Sequence, residues 1–361
     1  MRIFGVGLVN MEILGENIYN QRTSRSESKL KMWRYAGLML TYKCSAACAF
    51  CYYNCSSKSG GLMPIETALS AWSSLKNLAG EDAKVHITGG EPFLYFDHLA
   101  ELVTEAKSAG LKGLDSVETN GSWATDRKMA VERIKLLDNA GMDRLKISWD
   151  PFHAEFIEQE KVELLVNAAC EVLGRDRVLV RWEKYLQFPV KNKPSSVEER
   201  KEIYMSAVRD YPSRFTGRGA GMVADLFADK TAGDLAGLNC SKSFLGSKGI
   251  HIDPYGNVFS GLCSGIIIGN VNSEPLDQMW RRFDPERSEF FGTLFCESSH
   301  GLLDKAVEMG YKAKTAYADK CHLCTDLRTF FFDKEAFSPI IGPSDCYGRQ
   351  TQKSTNTNGI N

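Results

Sequence analysis

No stretch of the 361-residue chain reaches the ~18 uninterrupted apolar residues that a membrane helix needs. The N-terminal run MRIFGVGLVNMEILGENIYN is broken by Asn10 and Glu12 and has no small-residue cleavage site, so neither a spanning helix nor a secretory signal is expected there. Basic blocks are also missing. Lys and Arg (44) balance Asp and Glu (45), and the net charge of −1 argues against a nucleic-acid-binding surface. Nothing before residue 34 is long enough for a separate peptide-recognition domain, and QRTSRSESK (21–29) reads as a solvated loop. Together these absences predict a cytoplasmic protein with no membrane and no nucleic-acid partner, in a compartment where thiols stay reduced.

What the chain does have is cysteine. In a reducing compartment eleven cysteines point to metal rather than to disulfides. Four lie between 44 and 55, six between 240 and 346, and Cys170 stands alone between them. Cys44, Cys48 and Cys51 form C-x3-C-x2-C in a loop just after the apolar run Leu38 to Leu40. Thiolate is soft enough to bind an iron–sulfur cluster. A [4Fe–4S] cube held by three cysteines keeps one iron without a protein ligand, as a catalytic centre requires. The alternative is a closed structural site, cluster or zinc, with Cys55 as the nearest fourth ligand.

Around this loop the chain alternates strands and helices. The first strand is read over Arg34 to Thr41. A helix with Pro64 in its first turn and Gly80 at its cap follows, with Ile65, Leu69, Trp72, Leu75 and Leu78 at helical spacing. Strands are expected over 85–88, 115–119, 145–149 and 178–182, with a short sixth one near Arg214 to Thr216. Helices are expected over 97–109, 126–140, 160–173 and 196–210. This βα series predicts an α/β fold with a parallel sheet, a partial (β/α)6 TIM-type barrel over 34–218. The segment Lys184 to Ser195 fits no element. An N-terminal extension (1–33) precedes the barrel. A linker helix (219–239), a small α+β domain (240–348) and a polar tail (349–361) follow it. In such barrels sites form at the C-terminal ends of the strands. The cysteine loop, GGEP (Gly89 to Pro92), Glu118 to Asn120, Ser148 to His153, and Arg181 with Glu183 all fall on that rim.

GGEP stands forty-five residues after Cys44, with strand, helix and strand between. Glycines without Cβ allow close backbone approach. C-x3-C-x2-C with Phe50 before its third cysteine, followed by GGEP, resembles the radical S-adenosylmethionine (radical SAM) enzymes. The resemblance implies that Cys44, Cys48 and Cys51 hold a [4Fe–4S] cluster whose open iron is chelated by SAM. One electron from the cluster then yields a 5′-deoxyadenosyl radical. It also implies that Gly89, Gly90, Glu91 and Pro92 meet the SAM amino group, and that Phe50, Thr119, Asn120 and Ser148 belong to the SAM site. Arg181 could grip the SAM carboxylate bidentately. In DPFHAE, His153 with Asp150 could transfer a proton or orient a substrate, or His153 could simply pack against Phe152 and Phe156.

Past FTGRGAGM (215–222), which resembles the turn closing such barrels, a β-hairpin is read around Pro254–Gly256. It is flanked by Cys240 and Cys263, and Cys321 and Cys324 follow as C-x2-C. This layout is similar to SPASM or twitch auxiliary-cluster domains. It implies one auxiliary [4Fe–4S] cluster on Cys240, Cys263, Cys321 and Cys324, because TDLRTFFF supplies no further cysteine. Cys346 or Cys296 could replace one ligand, and a zinc ribbon remains the structural alternative. The expected function is radical hydrogen abstraction from a peptide, with a small molecule (sugar, nucleoside or amino-acid derivative) as alternative and a non-catalytic iron–sulfur or zinc protein as the other class. The electron donor expected is a reductase such as flavodoxin or ferredoxin.

Overall fold

The computed structural model describes residues 14–24, 26–187, 194, 196–261 and 263–349. One eight-stranded sheet organises it. The strands are β1 (Tyr35–Met39), β2 (Lys84–Thr88), β3 (Leu114–Thr119), β4 (Arg144–Ser148), β5 (Val178–Arg181), β6 (Gly249–Ile252), β7 (Asn257–Ser260) and β8 (Ile267–Asn270), in the order β5-β4-β3-β2-β1-β6-β7-β8. The first six positions of that order are parallel, and β7 and β8 are antiparallel.

Helices α1 (Ile65–Ala79), α2 (Phe96–Ser108), α3 (Arg127–Asn139), α4 (Gln159–Leu173) and α5 (Val197–Asp210) cover the outside. Each forms where an apolar stripe recurs at helical spacing. On α1, Ala68, Ala71, Trp72, Leu75 and Leu78 are buried, and Gly80 at φ 58° ends the helix. The outward strand positions Ala36, Leu38, Val85, Ile87, Val117, Leu145, Ile147, Val178 and Val180 are buried. The alternate positions carry Tyr35, Gly37, His86, Thr88, Glu118, Lys146, Ser148, Arg181 and His251. Successive side chains of a strand point to opposite faces, so the concave side of this sheet is polar.

The α/β class and the partial barrel are as read from the sequence, with two changes. Residues 214–216 join no ladder, and Thr216 N–H donates back to Arg214 O at 3.1 Å. The sixth parallel strand is β6, paired along β1 from Tyr35↔Gly249 to Leu38↔Ile252. The first strand of the expected hairpin thus belongs to the barrel sheet. The linker helix over 219–239 is also absent. A short helix, Arg218–Met222, gives way to two 3-10 turns, Ala224–Phe227 and Gly233–Leu235. Gly219, Gly221, Gly233 and Gly237 make this stretch a poor helix former. Asp234 also accepts bonds from the Thr231 N–H (2.8 Å) and hydroxyl (2.7 Å), which favours a turn.

The C-terminal part adds α6 (Leu276–Arg282), α7 (Glu289–Cys296), α8 (Ser298–Glu308) and α9 (Lys320–Asp333). The N-terminal segment is tied to it: Asn17 Nδ2 donates to the Trp280 (2.5 Å) and Phe283 (3.0 Å) carbonyls, and Trp280 Nε1 donates to Lys31 O (3.0 Å). The unplaced excursion begins as a short helix, Lys184–Gln187, and most of its remainder lies outside the described residues, as does the tail beyond Arg349. Arg349 itself bonds Asp333 at 2.7 Å. Among the described residues no helix is long and apolar enough to cross a membrane.

Candidate functional site

At the C-terminal ends of the strands a cavity of 170 Å³ is lined by Cys44, Cys48 and Cys51 from the loop after β1. Gly89 and Gly90 from the end of β2, Thr119 and Asn120 after β3, Ser148, Asp150 and His153 after β4, and Arg181 on β5 face it too, with Phe50. These twelve residues meet at one place, and Cys55, the alternative fourth ligand, and Glu118 line the same cavity. Glu91 and Pro92 do not line it.

The loop that presents the thiols is held by backbone contacts. Gly90 N–H donates to Thr41 O (2.7 Å) and Glu91 N–H to Lys43 O (3.0 Å). A Cβ on Gly90 would lie 2.1 Å from Lys43 O, and one on Gly89, at φ 140°, 2.6 Å from Thr41 O. The glycine pair therefore lets β2 dock on the cysteine loop. Glu91 is fully buried behind it and accepts from Phe93 N–H (3.1 Å), Thr119 Oγ1 (2.8 Å) and Asn120 N–H (2.7 Å). Burial pushes its carboxyl up to about 7. It locks the end of β3 to the end of β2, and Asn120 Nδ2 reaches Cys44 Sγ at 3.5 Å.

Arg218 grips the same loop from the far side. Its guanidinium donates to the carbonyls of Cys48, Asn54 and Cys55, each at 2.8 Å, and its N–H donates to Cys51 O at 2.9 Å. Gly217, at φ 54°, permits that approach, because a Cβ there would lie 2.3 Å from Tyr52 O. Phe50 stacks on Phe152 with centroids 5.2 Å apart.

The thiols differ. Burial raises Cys44 and Cys48 above the usual range. Cys51 is lowered by the Cys55 thiol, which hydrogen-bonds it, with help from the Tyr53 N–H and the Arg218 charge. His153 is no mere packing residue: its Nδ1 lies 2.8 Å from Asp150 Oδ1 and its ring hydrogen-bonds the Cys48 thiol. These contacts with Asp150 and Cys48 hold the imidazole well above its usual value despite burial. Asp150 also caps the short helix Pro151–Ala154 through the Phe152 and His153 N–H groups, both 2.9 Å.

Cys240, Cys263, Cys321 and Cys324 meet elsewhere. Each of Cys263 and Cys321 feels the charge of the other three or of two of them, and burial raises Cys263 to about 12. Cys321 and Cys324 share one face of the first turn of α9. Beside them Arg328 is 3% exposed, donates to Ser264 O (2.6 Å), and leaves its Nε without a partner. A buried guanidinium with a spare donor next to thiols fits an anionic cluster. Cys346 is not in this set; it lies 3.4 Å from the Tyr42 hydroxyl. Cys296 is exposed on α7, against Tyr19.

Among the described residues no three His, Cys, Asp or Glu side chains close on a single-ion point.

Sequence reasoning missed Arg218, the cavity-lining Tyr52, Tyr53 and Trp182, and a second cavity of 480 Å³ in the barrel lumen. Trp182 sits at φ 60° at the end of β5, a strained backbone for a large residue and one typical of functional rims. The lumen was announced by polar residues at alternate strand positions.

The family model of the radical SAM superfamily matches residues 38–170. Residues 38–170 are a radical SAM domain. The match begins in β1 and takes in the cysteine loop, GGEP and the Asp150–His153 pair. Two relatives align over the same order of length. A Bacillus subtilis (strain 168) protein, YydG, provisionally named for peptide biosynthesis, is 26% identical over 134 residues, 36% of this chain and 39% of that one. The GTP 3′,8-cyclase of Lactiplantibacillus plantarum is 35% identical over 126 residues, 34% of this chain and 35% of that one. The chain thus covers well under half the length of either. A crystal structure of BtrN with AdoMet and 2-DOIA covers 73% of this chain and 87% of its own at 16% identity, with a TM-score of 0.42, too low to carry weight. A radical SAM domain implies a [4Fe–4S] cluster and SAM.

Proposed function

We propose that the chain is a radical SAM enzyme that modifies a peptide. Cys44, Cys48 and Cys51 would hold the cluster. Gly89, Gly90, Thr119, Asn120, Ser148 and Arg181 would receive SAM, with Phe50 as a wall and Glu91 and Pro92 fixing the strand end behind it. When bound, these groups supply one-electron cleavage of the sulfonium and a carbon radical that takes hydrogen from a substrate C–H bond. The chain's own part is to orient the reactants and keep water out. His153, anchored by Asp150, positions Cys48 and offers a proton on the rim.

The observation that carries this reading is the convergence of three thiols from one loop with the glycine pair on a single cavity. In the same reading 34–218 is the barrel and 240–348 an auxiliary-cluster unit joined to it through β6. Cys240, Cys263, Cys321 and Cys324 would hold the second cluster beside Arg328. A cytoplasmic flavodoxin or ferredoxin would supply the electron. Likeness to YydG supports a peptide substrate; likeness to GTP 3′,8-cyclase favours a small molecule as the second reading.

Anaerobic protein reconstituted with iron and sulfide, reduced with dithionite and given SAM, is expected to form 5′-deoxyadenosine. No 5′-deoxyadenosine from a protein shown to hold iron would overturn the proposal.

A further inference from the structure

Helix α9 carries a buried cation beside its two cysteines. Cys321, Cys324 and Arg328 recur at i, i+3 and i+7, which puts all three on one face of the helix. Both terminal nitrogens of the Arg328 guanidinium are fixed. Nη1 donates to the Ser264 carbonyl at 2.6 Å, and Nη2 donates to Thr325 Oγ1 at 3.0 Å. The Tyr347 hydroxyl lies 3.4 Å from Nη1. Ser264 directly follows Cys263 in the chain. One guanidinium is thereby held between the helix that bears two of the four dispersed thiols and the loop that bears a third.

Every oxygen that Arg328 bonds is neutral. The ionisable groups that face it most closely are Tyr347, Cys324 and Cys263, and Cys346 feels its charge as well. Burial keeps Tyr347 and Cys346 protonated. Arginine stays charged inside a protein, and a buried charge needs a partner of opposite sign. That leaves the thiols of Cys263 and Cys324, which turn to thiolates when they take a metal.

Other charges face the same thiols from less enclosed positions. Arg214 faces Cys240 and Cys263, and its side chain is exposed. Lys320 faces Cys240, is half-buried, and donates to Asn239 O at 2.9 Å. Asp319 faces Cys321 with the opposite sign. Water screens an exposed charge far more than a buried one.

We propose that Arg328 is the fixed counter-charge of the dispersed thiol set and holds the reduction potential of the auxiliary cluster above the value its thiolates alone would give. The inference rests on the auxiliary-cluster reading and deepens it. Four thiolates make such a cluster an anion, and each added electron makes it more negative. A cation locked beside two of its sulfurs favours that electron, since net charge and the groups around the sulfurs set the potential. Arg328 is in this sense a positioning residue: it binds no iron and acts through the cysteines it stands between.

Potentiometric titration of the full chain with dithionite tests this, after anaerobic reconstitution with iron and sulfide and with electron paramagnetic resonance as the readout. The Cys44→Ala/Cys48→Ala/Cys51→Ala variant identifies the auxiliary signal. Arg328→Gln is expected to lower the auxiliary midpoint by about 59 mV, which is a tenfold loss in a one-electron equilibrium. Arg328→Lys, which keeps the charge and loses the fork, is expected to fall between Gln and wild type. Arg214→Gln is expected to shift it less than half as far as Arg328→Gln. Three results would overturn the inference: an Arg328→Gln midpoint at or above wild type, a Lys midpoint as low as that of Gln, or an Arg214→Gln shift as large as that of Arg328→Gln. If Arg328→Gln holds too little iron to titrate, the Lys variant decides, and a midpoint at or above wild type sinks the proposal. Iron and sulfide counts separate the failures. If the triple variant keeps about four irons and its midpoint ignores Arg328, only this inference falls. If it keeps none, the auxiliary-cluster reading falls and takes this inference with it.

Discussion

The two thiol sets reach similar local chemistry by opposite routes. Cys44, Cys48 and Cys51 come from eight consecutive residues, and the fold around them holds their backbone through the Gly89–Gly90 docking and the three carbonyls on Arg218. Cys240, Cys263, Cys321 and Cys324 come from three distant segments, and what surrounds them is packing and the Arg328 guanidinium. The first set is prearranged by a short loop. The second exists only once the chain has folded. A local ligand loop can present an open site because its geometry does not depend on a fourth ligand, whereas a dispersed set ties segments together and gains most from being closed.

The largest expected effect breaks the comparison on one side. A Cys44→Ala/Cys48→Ala/Cys51→Ala variant should lose all 5′-deoxyadenosine formation while keeping about four of roughly eight irons, by iron and sulfide analysis. Loss of every iron would mean that the dispersed set holds no cluster. The mirror variant, Cys321→Ala/Cys324→Ala, should lose the other four irons and lower the unfolding temperature, because closure of the dispersed set then no longer ties the segments. Unchanged thermal stability in that variant would deny it this tying role.

A smaller effect sharpens the local side. Gly90→Ala forces a methyl against Lys43 O and should cost roughly 1–3 kcal/mol in denaturant unfolding. Iron in the open site should fall with it and auxiliary iron should not. Acid sensitivity comes next. His251 is held down to about 3 by burial against an ordinary 6.5. The folded chain therefore binds fewer protons there than the unfolded one, and stability should fall as pH drops below about 6.5, by roughly 1.4 kcal/mol per pH unit for one such group. His251→Phe should flatten that slope in urea titrations at several pH values. The smallest effect is Asp319→Ala. Asp319 caps α9 by accepting from His322 N–H at 2.7 Å, so removal should cost about 1 kcal/mol and loosen the turn that carries Cys321 and Cys324.

Much of the barrel was legible because its signals are local. Helical stripes ended at Gly80, Gly110 and Gly141, and the observed elements differ from those read in sequence by a residue or so. The rim residues followed from strand direction alone. The sixth parallel strand was misplaced because pairing partners are long-range: nothing in GIHI says that it lies beside Tyr35 to Leu38 rather than in a separate unit. The linker helix expected over 219–239 fails at its glycines, Gly219, Gly221, Gly233 and Gly237, which break it into short turns. Glu91 was assigned to the ligand when its bonds go to Thr119 and Asn120, a distinction between a rim and what stands behind it that spacing cannot make. The lumen could have been found, since polar alternation in Lys84 to Thr88, Arg144 to Ser148 and Gly249 to Ile252 is unexpected in a parallel sheet covered on both faces.

The pairing of β6 with β1 has one more consequence. A fragment ended after residue 218 would hold every radical SAM motif and still lack the neighbour of the strand that bears them. The bare N–H and C=O groups of Tyr35 to Leu38 would then be a template for other chains, so such a fragment should precipitate or pair with itself where the whole chain does not.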